Sequence, residues 1–75
     1  MKIRFDEDIF EAPDATGIVE RIIADSWFGE RTVQGYMEGY AERSKIYDGS
    51  TIPTGSPEEF LAALARLGTI EVLEE

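Results

Sequence analysis

Ser56-Pro57-Glu58-Glu59-Phe60-Leu61-Ala62-Ala63-Leu64-Ala65-Arg66-Leu67-Gly68-Thr69-Ile70-Glu71-Val72-Leu73 decides the fold. Ser56 is an N-cap residue, because its hydroxyl can accept a hydrogen bond from a free amide of the first helical turn. Pro57 at the first helical position lacks an amide that would have no partner there. Glu59, three residues after Ser56, completes the capping-box pattern. Phe60, Leu61, Leu64 and Leu67 then fall on one helical stripe, and Gly68 is the stop. Thr69-Ile70-Glu71-Val72-Leu73 follows with β-branched residues in alternation, the period of a strand. A lone strand cannot satisfy its own amides and carbonyls. It must pair with strands elsewhere in the chain.

The N-terminus supplies them. Ile3 and Phe5 alternate with Lys2 and Arg4 at strand period. Asp6-Glu7-Asp8 is suited to a turn, and Ile9-Phe10-Glu11-Ala12 returns as a second strand. After Pro13, Asp14 caps a first helix in which Ile18, Val19, Ile22, Ile23 and Trp27 share a face. Gly29 is its expected stop. Thr32 caps a second helix, with Val33, Tyr36, Met37, Tyr40, Ser44 and Tyr47 spaced by three and four. Gly35 and Gly39 inside it each cost about 1 kcal/mol against Ala, which suggests a backbone surface that something approaches closely, with a poorly designed helix as the alternative. Asp48 to Gly55 reads as a loop, with Thr51-Ile52 a short extended piece that Pro53 limits to an edge.

The expected fold is therefore α+β with the order β-β-α-α-α-β. A small three-stranded sheet, made of the N-terminal hairpin and the C-terminal strand, is covered on one face by three helices. Residues 1–75 form a single small domain. Such a domain buries about 60–65% of the surface its unfolded chain exposes. Its stability is expected at roughly 4–11 kcal/mol.

Composition excludes more chemistry than any motif proposes. The chain has 16 acidic and 7 basic side chains, a net charge of −9, and neither histidine nor cysteine. Missing His and Cys remove the commonest general base, the commonest metal ligand and the strongest nucleophile. Asp6-Glu7-Asp8 lacks the spacing and the glycine of a calcium loop. Asp48-Gly49-Ser50-Thr51 and Thr54-Gly55-Ser56 have no lysine where a phosphate-binding loop needs one. Ser44-Lys45 are adjacent on a helix and point apart. The reading is of a chain that is not an enzyme and uses no cofactor or metal. Its charge repels nucleic acid and anionic membrane, the basic residues are too few for a helix-turn-helix reader, and no apolar run reaches membrane-spanning length. Absent cysteine and the lack of an apolar leader fit a cytoplasmic protein.

The acid is unevenly placed. Residues 1–30 hold eight acidic and three basic groups, residues 56–75 hold five and one, and residues 31–55 hold three of each. The neutral middle carries all three tyrosines, Met37, Arg31, Arg43 and Lys45. Tyr, Met and Arg are enriched in protein interfaces. A tyrosine stripe at helical spacing also fits a core with phenol tips in water, and Arg43 and Lys45 fit the negative end of a helix dipole. The candidate interaction surface is Phe28, Arg31, Tyr36, Tyr40, Arg43 and Tyr47, centred on the helix 32–47. The functional expectation is a small acidic protein-interaction module, a homodimer among its forms. The alternative is an acidic inhibitor or nucleic-acid mimic that occupies a basic protein surface.

Overall fold

A computed structural model describes residues 1–25 and 32–75. Its elements are β1 (Lys2–Phe5), β2 (Asp8–Glu11), α1 (Ala15–Ala24), α2 (Val33–Asp48), α3 (Pro57–Arg66) and β3 (Ile70–Glu74). The three strands form one antiparallel sheet in the order β2-β1-β3. The fold is α+β, in the β-β-α-α-α-β order expected.

β1 is the central strand. Ile3 sits opposite Phe10 on one side and Val72 on the other, and Phe5 sits opposite Asp8 and Ile70. The intervening residues face outward: Arg4 sits between Ile9 and Glu71, and its Nη1 donates to Glu71 Oε1 at 2.8 Å. This pair is exposed and contributes about 0–1 kcal/mol. The β1–β3 ladder carries an irregularity at Lys2/Ile3, because Lys2 pairs with Glu74 while Ile3 pairs with Val72. The hairpin turn is tighter than expected. Asp8 is already paired with Phe5, so only Asp6 and Glu7 make the turn. Asp6 takes the left-handed conformation (φ 56°) that a glycine would normally supply. Aspartate tolerates that region better than most side chains.

All three helix starts use the caps expected from sequence. Asp14 Oδ1 accepts from Gly17 N at 2.8 Å, Thr32 Oγ1 from Gly35 N at 3.0 Å, and Ser56 Oγ from Glu59 N at 3.2 Å. The close approach at Gly35 is therefore internal: a Cβ there would lie 2.8 Å from the Thr32 hydroxyl. The end of α3 is equally local. Gly68 (φ 79°) donates to Ala65 O and Thr69 N donates to Leu64 O at 2.9 Å. These two bonds form a Schellman closure and turn the chain directly into β3.

The core lies between the sheet and the helices. Among the described residues, Ile3, Ile18, Val19, Met37, Phe60, Leu61 and Leu64 are its most enclosed members. α1 ends at Ala24, with Asp25 N donating to Arg21 O and Ile22 O. The expected continuation through Trp27 to Gly29 lies outside the described residues. Two expectations are corrected, one for a helix stripe and one for the loop before α3. Leu67 was placed with Phe60 and Leu64, but it is 54% exposed, because α3 ends at Arg66 and the Gly68 turn carries the chain away from the core. Thr51-Ile52 forms no strand, yet Ile52 is buried in the core. No helix among the described residues is long and apolar enough to cross a membrane.

Candidate interaction surface on the second helix

Helix length positions this surface. α2 has 16 residues and α1 and α3 have 10 each. At 1.5 Å per residue α2 is about 24 Å long, roughly 9 Å more than its neighbours. Its first half packs against them, with Tyr36 and Met37 buried and Val33, Tyr40 and Ala41 partly buried. Little of the described chain covers its last turn and a half. Ile46 and Tyr47 are 80% and 89% exposed. Gly49 (φ 78°) closes the helix, donating to Lys45 O at 3.0 Å. Asp48 then accepts from Ser50 N at 2.9 Å. Hydrogen bonds from the Ser50 hydroxyl and amide hold the Asp48 carboxyl below the usual range.

The tyrosines divide along the helix. Tyr36 is 7% exposed and belongs to the core. Its ring meets Phe60 edge to face, with centroids 6.2 Å apart. The expectation that it contributes to an outer surface is corrected, because α1 and α3 pack against that half of α2 and Phe60 of α3 meets the Tyr36 ring. Tyr40 bridges inside and outside. Its ring packs edge to face on Phe60 at 5.6 Å and on Phe5 at 6.4 Å. Each such pair contributes about 0.5–1.5 kcal/mol beyond area burial. Tyr47 continues the same stripe past the end of the body. Arg43 is exposed between Tyr40 and Tyr47. Phe28 and Arg31 lie outside the described residues.

Burial is the main cause that pushes the Tyr40 hydroxyl above its ordinary value, and Asp6 and Asp48 add to it; a side-chain hydrogen bond with Thr69 and the charge of Arg43 oppose it. A phenol raised in the folded state contributes stability that is complete below its unfolded pKa, about 10, and is lost as pH rises through the folded value. Wild type is therefore expected to lose thermal stability in alkali above about pH 10, and Tyr40→Phe to lose less. Melting curves across that range check this. Equal alkaline losses in the two proteins would remove Tyr40 as the group responsible.

Tyr40, Arg43, Ser44, Tyr47, Ile52 and Leu67 line one shallow groove of about 450 Å³. It joins the free end of α2 to the turn between α3 and β3. Sequence reasoning brought Tyr40, Arg43 and Tyr47 to this groove but missed Leu67, and it also missed Ile46, which is exposed on the same helix end outside the groove. Ile46 carried a readable signal, since an isoleucine off the apolar stripe of a helix faces solvent unless something else covers it. Leu67 carried none, because only the position of the helix end puts it outside.

Among the described residues no cluster of three or more acidic side chains is arranged to hold a metal ion. All described acidic side chains are exposed. Compared with known proteins, the chain matches no family model, no curated protein and no solved structure.

Proposed function

We propose that the chain is a small protein-interaction module that pairs with a second copy of itself through the free end of α2. The observation that carries this reading is the exposure of Ile46 and Tyr47, 80% and 89%, on one helix end. Large apolar side chains left in water on a domain this small favour association, which returns stability by mass action. Charge selects the partner. Residues 42–48 carry Glu42, Arg43, Lys45 and Asp48 and are neutral, while the whole chain carries −9. Two copies repel least where the acid is balanced. An antiparallel approach of two α2 ends about a twofold axis brings Arg43 of each toward Asp48 of the other. Sedimentation equilibrium is expected to show a concentration-dependent dimer, and Tyr47→Ala to weaken it by about tenfold, or 1.4 kcal/mol. Monomer stability should change by less than about 0.5 kcal/mol, as at other exposed sites. A strict monomer at high concentration would overturn the self-association reading.

A second reading, an acidic ligand for a basic protein surface, is favoured by the exposure of every described carboxylate. Its expected signature is capture of basic partners that weakens steeply with salt.

A further inference from the structure

A groove of a different kind shares no lining residue with the one at the α2 tip. It runs between Glu58, Leu61 and Ala62 of α3 and Val72 of β3, with Glu75 just beyond that strand, and the Pro13-Asp14-Ala15 segment closes it. Its volume is about 380 Å³. Leu61, Ala62, Val72 and Met1 supply an apolar floor, and Asp14, Glu58 and Glu75 are the charged side chains on its rim. Lys and Arg are absent from the lining; the one cationic group there is the amino group of Met1, which donates to Ala12 O at 2.8 Å.

We propose that this groove receives a basic segment of another protein, with an apolar side chain between Ala62 and Val72 and flanking Lys or Arg residues against Asp14, Glu58 and Glu75. The inference rests on the acidic-ligand reading and gives it a place. Charge complementarity chooses the occupant. A second copy would bring further negative charge to a rim that already holds three carboxylates. A purely apolar segment would strip water from those carboxylates without pairing them, which is costly. A segment with both properties covers the floor and keeps the carboxylates paired. Two of the three rim carboxylates stand at helix starts. Asp14 is held by its bond to Gly17 N, and Glu58 lies in the first turn of α3, where its charge is stabilised by the helix dipole.

The test uses two fluorescein-labelled synthetic peptides, one of Lys-Lys-Leu repeats and one of Lys-Lys-Ser repeats. Anisotropy is measured at physiological salt, where charges more than about 8 Å apart are largely screened. The leucine peptide should bind and the serine peptide should bind at least about tenfold more weakly. Ala62→Lys places a cation on the groove floor. Ala62 is exposed on α3, and lysine is a good helix former, so melting should be unchanged. Binding of the leucine peptide should fall by about tenfold. Thr51→Lys makes the same charge change at an exposed loop position outside the groove, and its effect should stay within about twofold. If both peptides bind alike, or both variants weaken binding alike, the groove proposal falls while the general acidic reading stands. If neither peptide binds, both fall.

Discussion

Phe60→Ala is expected to remove about 3–5 kcal/mol of folding stability. Phe60 has no exposed surface and is the largest fully buried side chain among the described residues. Its ring contacts Tyr40 and Tyr36, at centroid distances of 5.6 and 6.2 Å, both near perpendicular. Truncation therefore loses the transfer free energy of the ring, opens a cavity between α2 and α3, and leaves two tyrosine rings without their shared edge-to-face partner. The surroundings cannot close the gap cheaply, since α3 is tied at its start by Ser56 and at its end by the Gly68 turn. The whole domain holds roughly 4–11 kcal/mol, so the variant is expected to be marginally folded at best. Urea denaturation should show a lower midpoint with an unchanged slope. A loss below about 1 kcal/mol, the range of surface substitutions, would show that the ring is not core.

Ile3→Ala is expected to cost about 2–5 kcal/mol. Ile3 is completely buried on the central strand, between Phe10 and Val72. Strand β1 is paired on both sides, so its backbone cannot move inward to fill the space. Alanine also gives up the β-branched fit to a pleated surface. For a domain of this size each kcal/mol shifts the melting temperature by about 4–8 °C. The comparison that decides the matter is Val72→Ala. Val72 lies directly across from Ile3 but on an edge strand, at 36% exposure. It should lose clearly less. Equal losses would mean that burial at the centre of the sheet is not what stabilises this layer.

These two sites and the α2 tip show how large apolar and aromatic side chains take opposite places, in the core and in water. Phe60 and Ile3 are enclosed because elements from both termini meet over them. Tyr47 is not enclosed because α2 runs past the elements that could cover it. The acidic charge is arranged to match. The two ends of the sequence hold the excess acid, and net charge falls to zero along the tip, where Arg43 and Lys45 balance Glu42 and Asp48.

Much of the fold was legible in the sequence. Asp14, Thr32 and Ser56 each announce a helix because an N-cap is a contact over three residues. Gly68 announces a stop because the Schellman turn needs a left-handed residue within one turn of the helix. Strand pairing followed from the rule that backbone groups need partners. Tertiary structure alone decided that β1 is central, that Asp6 and Glu7 suffice for the hairpin turn, that Tyr36 lies inside while Tyr47 of the same stripe lies outside, and that Leu67 joins the groove. Helical spacing gives the direction in which a side chain points. It does not say how far the opposing surface extends, and that extent depends on elements tens of residues away. The sequence by itself determined the elements, their boundaries within a few residues and the neutral stretch. Packing between distant segments decided which residues of that stretch meet water.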